Sequence, residues 1–234
     1  PEVKYTSITS GAYMQYNISE TAFSLYTNEP AQCRWNSNDT GYEFMSGEMS
    51  CASSGFQQSS EYYGSYECAT TLTGVADTEL NSFYFKCQDN SGNTNEDSFK
   101  FTTKQTEEPL EITSILPSGL LYDLNVSLEL ETENGAEKGS AVCGYSVEEV
   151  DYYSMAEFLH TNSSSHSQEL SLTEGDYTYY VACQDIAGNR ATNSSIFTVE
   201  IDTDGPEIES IYVDTIYEVL LLELNEDATC EYAS

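Results

Sequence analysis

Apolar and polar residues alternate with a period of two through most of the chain. Phe83, Phe85 and Cys87 alternate with Tyr84 and Lys86, and Tyr177, Tyr179, Val181 and Cys183 alternate with Thr178, Tyr180 and Ala182. That period marks half-buried strands. Both runs stop at the same turn, FYFKCQDNSGN ending at Asn93 and YYVACQDIAGN ending at Asn189. In QDxxGN the Asp hydrogen-bonds its own loop and the Gly takes positive φ, so each strand reverses into the next. Helical periodicity is nearly absent, with only residues 153–159 fit for a helical turn.

Self-similarity organises these strands. Three copies of one unit open at Pro1, Pro109 and Pro206, each running through an apolar strand to a cysteine two residues before an aromatic: Cys33 and Trp35, Cys143 and Tyr145, Cys230 and Tyr232. The first two copies continue into the CQDxxGN stretch and a further strand; the third stops at Ser234. Short strands at regular spacing, in units of about 100 residues, read as all-β, tandem antiparallel β-sandwiches. The expected organisation is a first domain over 1–106, a second over 107–204, and the first strands of a third over 205–234. The first unit is longer between its flanking cysteines, and the excess is assigned to a polar insertion at about 42–70 with its own cysteine pair.

The repeat orders the seven cysteines. Cys33 matches Cys143 and Cys230, and Cys87 matches Cys183, so the expected bridges are Cys33 with Cys87 and Cys143 with Cys183. Cys51 and Cys68 then pair inside the insertion, and Cys230 stays unpaired within this segment. Closing a loop of about 40 residues stabilises by about 4 kcal/mol in the chain-entropy model, and bridges at this density imply an oxidising compartment. The competing reading, zinc ligation, lacks CxxC pairs and histidines at ligand spacing, since His160 and His166 fall in a Ser/Asn-rich stretch. Sequons at Asn17, Asn38, Asn125, Asn162 and Asn193 agree with a glycosylated extracellular surface.

Charge narrows the partners. The net charge is −33, from 40 acidic and 7 basic residues. Such a field repels phosphate backbones and anionic lipid, so neither nucleic acid nor a membrane surface is an expected partner. No apolar run is long enough to span a bilayer, and direct membrane insertion of this segment is not expected. The opening at Pro1, inside the repeat pattern, reads as a mature or internal segment of a longer protein.

The stretch LSLTEGDYTYYVACQDIAGNRATNSSIFTVEIDTDGPEI resembles the second half of the immunoglobulin-like and fibronectin-III-like repeats of prokaryotic, chiefly archaeal, cell-surface proteins. The resemblance covers nearly the whole chain. It implies a cell-surface location and roles as stalk, surface layer, filament or adhesin, with neighbouring copies or further Ig-like domains as partners. Asn81 departs from the pattern, standing where Tyr177 stands in the second unit.

Two clusters compete with structural readings. The acidic junction Asp202, Asp204 and Glu207, with Asp185 and Asn189 folding back, would suit calcium through oxygen ligands; ordinary turn and linker chemistry is the alternative. No other cofactor is expected. Tyr62, Tyr63 and Tyr66 in the insertion would suit a protein or carbohydrate partner, against simple packing over the sandwich edge. No catalytic motif is present, and the expectation is that the chain is not an enzyme. The function expected is therefore structural, a segment of a multi-domain stalk, layer or filament. An adhesin acting through the insertion is one alternative. A filament subunit assembled by donor-strand exchange through the incomplete third unit is the other.

Overall fold

The computed structural model describes residues 1–76, 78–203, 205–214 and 219–231. The first sandwich contains β1 (Val3–Thr6), β2 (Ala12–Met14), β3 (Glu20–Thr27), β4 (Ala31–Asn36), β5 (Gly47–Glu48), β6 (Ser50–Cys51), β7 (Tyr66–Thr73), β8 (Asn81–Asp89) and β9 (Phe99–Gln105). One sheet runs β1-β3-β7-β6 and the other β2-β9-β8-β4-β5. The alternating positions deliver Phe23 and Leu25 from β3 and Leu72 from β7 against Phe83, Phe85 and Phe101, all buried. Phe23 bridges the layers, with its ring centroid 5.1 Å from Phe85 and 4.5 Å from Phe101. Each such side chain contributes about 1.5–3 kcal/mol by burial.

The second sandwich repeats the plan with β10 (Leu110–Leu116), β11 (Gly119–Leu121), β12 (Asn125–Asn134), β13 (Ala141–Ser146), β14 (Ala156–Glu157), β15 (Ser165–Ser171), β16 (Gly175–Asp185) and β17 (Arg190–Val199). Its sheets are β10-β12-β15 and β11-β17-β16-β13-β14. In both units the chain leaves one sheet after its first strand and pairs in parallel with the last strand of the other, β2 with β9 and β11 with β17. Leu128 and Leu130 pack on Val181, Phe197 and Val199. Tyr177 closes a corner, its hydroxyl donating to Thr173 O at 2.9 Å. In the first sandwich Asn81 substitutes for it, donating Nδ2 to Val75 O at 3.0 Å.

Three bridges are formed, Cys33–Cys87, Cys51–Cys68 and Cys143–Cys183, each with Cα atoms 4.0 Å apart, and Cys230 is a free, exposed thiol. Every bridge joins residues directly opposite on neighbouring strands of one sheet. The insertion is shorter than expected. A 3-10 turn at Tyr42–Phe44 and β5 have counterparts in the 3-10 turn Tyr152–Ser154 and β14, with Met49 and Phe158 both entering the core. The surplus reduces to the loop after Cys51, residues 52–65. The helical expectation over 153–159 is met only by that single 3-10 turn, because β14 begins at Ala156.

His166 also departs from the loop expected of it: it lies in β15 and is 1% exposed. β7 places Cys68 opposite Leu25, and β15 places His166 opposite Leu130, its counterpart. The imidazole thus fills the position that a staple fills in the first unit. Thr132 Oγ1 donates to Gly139 O at 2.6 Å and so receives Nε2–H at 2.9 Å. With its proton on Nε2, the neutral ring accepts at Nδ1 from Thr161 Oγ1 at 2.9 Å, a hydroxyl that itself receives Cys143 N at 2.8 Å. All polar atoms of a neutral imidazole are satisfied.

Beyond the second sandwich the described residues form an antiparallel strand pair, β18 (Ile208–Asp214) with β19 (Val219–Leu224). It copies the β1–β3 pair in detail. Both have a register shift after the first partners, and Asn225 Oδ1 receives Glu207 N at 2.8 Å as Asn28 Oδ1 receives Glu2 N at 2.8 Å. Ile211, Tyr212, Val213 and Leu220 remain exposed on it.

Candidate interface between the sandwiches

The QDxxGN turn of the second sandwich lies between the two folded units. Asp185 is drawn inward by three donors: Oδ1 accepts Asn189 N at 2.8 Å, and Oδ2 accepts Asn189 Nδ2 and Ala136 N, both at 2.7 Å. Backbone bonds Asp185 N to Asn189 O and Gly188 N to Asp185 O close the hairpin. Asp185 and Asn189 are 5% and 7% exposed, unusual burial for a turn. Asp185 is covered by Gly135 and Ala136 of its own unit, and Asn189 and Gly188 by the first sandwich. Asn189 Oδ1 accepts Tyr16 N at 2.7 Å, Gly188 O accepts Gln15 Nε2 at 2.6 Å, and Asn189 Nδ2 also reaches Thr106 Oγ1 at 3.2 Å.

Local sequence explains each partner. Gln15 and Tyr16 follow β2, whose Met14 O is held by Thr106 N at 3.1 Å. The strand end and the linker therefore present their polar groups side by side. Gly188 has φ +87, which favours glycine, and a Cβ there would come 2.7 Å from Gln15 Nε2 and push that amide away from Gly188 O. Beside this contact a groove of about 720 Å³ opens, lined by Tyr13 and Lys104 from the first sandwich and by Glu133, Asn134, Glu137 and Lys138 from the second. Lys104 Nζ sits 3.9 Å from the Tyr13 ring centroid.

This geometry corrects the cation site. Asp185 and Asn189 stand at the start of β17 and Asp202 and Glu207 beyond its end; ten residues of strand, about 33 Å, separate the groups. They cannot share an ion, and Asp204 lies outside the described residues. Among the described residues the ligand-type clusters are sulfur-bearing, Cys33, Cys51 and Cys68, and Cys143 and Cys183 with His166, and their thiols are spent in disulfides.

The tyrosines also divide. Tyr66 is buried at 9% exposure, and Tyr62 stacks on Tyr5 at 4.5 Å and packs on Tyr26 at 4.6 Å. Burial, followed by the hydrogen bond to Glu61, pushes the Tyr26 phenol up to about 12, so it remains a donor. Only Tyr63, 95% exposed, is open to a partner, with Phe56 wholly exposed on the same loop. A second aromatic group carries Arg190, which lies 5.1 Å over Tyr152 and 4.7 Å over Tyr153. The sequence gives no mark on Gln15, Tyr16 or Thr106 as interface residues; the one usable signal was that QDxxGN recurs.

No protein-family model matches the chain, and no curated protein sequence does. Among solved structures, the fibronectin(III)-like modules of Clostridium thermocellum CbhA match with a TM-score of 0.50 at 11% identity, covering 86% of this chain and 95% of that one. The titin I-band fragment I67–I69 matches with a TM-score of 0.42 at 12% identity, covering 90% of this chain and 69% of that one. The fold is an Ig/fibronectin-III-like β-sandwich in tandem. At these identities the likeness reaches the fold and no further.

Proposed function

We propose that the chain is a segment of an extracellular structural protein, a stalk, surface layer or filament built from Ig-like sandwiches whose mutual angle is set by the Asn189 contact. The carrying observation is that two sandwiches meet through a turn whose Asn and Gly bond directly to Gln15, Tyr16 and the linker Thr106. Hydrogen bonds between two units already joined by a short linker act at high effective concentration, so a few suffice to limit bending. Three disulfides support an oxidising compartment, and all five sequon asparagines, Asn17, Asn38, Asn125, Asn162 and Asn193, are exposed. The β18–β19 pair acts in this reading as the opening of a third sandwich, since it repeats the β1–β3 pairing. Small-angle scattering tests the idea. Asn189→Ala should broaden the distribution of interdomain distances while both sandwiches keep their melting behaviour; an unchanged distribution would refute it.

A second reading rests on the 52–65 loop, where Phe56 and Tyr63 stand free above a packed base. Aromatics so presented fit an adhesin that contacts carbohydrate or protein. Removing residues 53–64 while keeping Cys51–Cys68 tests it on a glycan and protein array: a binder loses its ligand, and a spacer shows no difference.

A further inference from the structure

The first sandwich carries the same turn at the end that bears Pro1. Ala31 pairs with Asp89, Asn28 N donates to Glu2 O, and the amino group of Pro1 meets Glu29 at 3.0 Å, so the N-terminus and the 89–93 turn share one end of the unit. The turn shares the Asp–Asn bonds of the second sandwich, with Ser91 N as third donor where Asp185 has Ala136 N. Asp89 Oδ1 accepts Asn93 N and Ser91 N, both at 2.8 Å, and Oδ2 accepts Asn93 Nδ2 at 2.8 Å. These bonds, the Asn93 side chain first, hold the Asp89 carboxyl below the ordinary carboxylate range. Gly92 has φ +86 against +87 at Gly188.

What differs is the cover. Asn189 Oδ1 is engaged by Tyr16 N, whereas Asn93 is exposed and its Oδ1 accepts no hydrogen bond among the described residues. A Cβ on Gly92 would meet nothing within 4 Å, so the approach that Gln15 makes to Gly188 is open here. Gly92 O already accepts Gln88 Nε2 at 3.2 Å, and a carbonyl has a second lone pair for another donor.

We infer that the Asp89–Asn93 turn is a docking element for an Ig-like unit of this same repeat joined ahead of Pro1, receiving that unit's counterpart of the Gln15–Tyr16 loop. The occupant is a covalently linked unit rather than a free second copy. The contact offers a few polar bonds, which hold only at the effective concentration that a short linker provides. The inference rests on the joint reading above.

The test places residues 1–108 ahead of the full 1–234 chain, so that Glu107 and Glu108 lead into Pro1 as they lead into Pro109. Hydrogen exchange then reads the two Tyr16 amides separately. Asn93→Ala in the trailing copy should speed exchange at the leading Tyr16 by about tenfold, the worth of one hydrogen bond, and leave the trailing Tyr16 unchanged. Asn189→Ala should do the reverse. Gln15→Ala in the leading copy leaves the turn intact and should also loosen the leading Tyr16. The Cys87 amide, held by Asn95 Oδ1 at 2.7 Å, reports that the first sandwich stays folded. If the leading Tyr16 ignores Asn93→Ala while the trailing Tyr16 answers Asn189→Ala, the docking inference falls alone. If neither responds, the joint reading falls with it.

Discussion

Pulling the second sandwich apart by its ends measures what the Cys143–Cys183 bridge conceals. With the bridge intact, the chain crosses from Cys143 to Cys183 over a Cα separation of 4.0 Å, and the 40-residue separation between them never comes under tension. Cys143→Ser combined with Cys183→Ser returns that segment to the extensible chain. At about 3.6 Å per residue the unfolding step should lengthen by about 140 Å. In the first unit, removing Cys33–Cys87 alone frees about 130 Å, because the nested Cys51–Cys68 bridge still hides 17 residues; with both of its bridges removed, the 54-residue separation gives about 190 Å against about 140 Å in the second unit. The difference between the two increments, about 50 Å, corresponds to the extra loop of the first unit. Single-molecule stretching between surface anchors reads these lengths directly, and oxidised and reduced wild-type chains provide the same comparison without substitution. Equal step lengths with and without the bridges would refute these cysteine pairings and the mechanical reading built on them.

Other consequences are sharper at single residues. Gly188→Ala and Gly92→Ala impose the same backbone strain, about 1–2 kcal/mol, but only the first drives a Cβ into Gln15. Cleavage of the 106–109 linker by protease should therefore accelerate in Gly188→Ala and not in Gly92→Ala. Burial holds the His166 imidazole below its ordinary pKa, against an opposing pull from Glu131. The unfolded chain then binds a proton that the folded chain refuses, so this contribution to stability is complete above about pH 6.5 and is lost as pH falls below it, by at most about 1.4 kcal/mol at pH 5.5. Urea titrations of wild type and His166→Gln at pH 7.5 and 5.5 should show the loss in wild type only; parallel losses would refute the assignment. Phe23→Ala should cost about 3–5 kcal/mol in chemical denaturation, since its ring touches Phe85 and Phe101 across both layers.

The sandwiches were legible because period-two alternation and a repeated turn are local signals. The partners of Phe83 and Phe85 are set by the pleat, and the repeat matched Cys33 to Cys143 and Cys87 to Cys183, the cysteines that β4 with β8 and β13 with β16 bring face to face within each unit. Residues 42–49 misled because composition alone looked like an insertion, whereas Met49 occupies the core place of Phe158. His166 was unreadable for a related reason. Ser and Asn flank it, and only the pairing of β12 with β15 turns it inward. The cation site failed on distance, a quantity that neither spacing nor charge encodes when a full strand separates the carboxylates. The joint was half legible: the turn advertised its Asp, Gly and Asn, but its partners Gln15 and Tyr16 are ordinary loop residues whose role arises from where β2 ends.

Each staple stays within a single sheet. The two layers of a sandwich are therefore held to each other by side-chain packing and by the chain that passes between them, with no disulfide from one layer to the other. Oxidation is then a record of strand pairing and not of closure. A chain can carry all three bridges, give the mass of the mature protein and migrate as oxidised on a gel while its layers are apart. Thiol counting will overstate the folded fraction of this molecule, and an assay of quality must look at the aromatic rings between the layers instead.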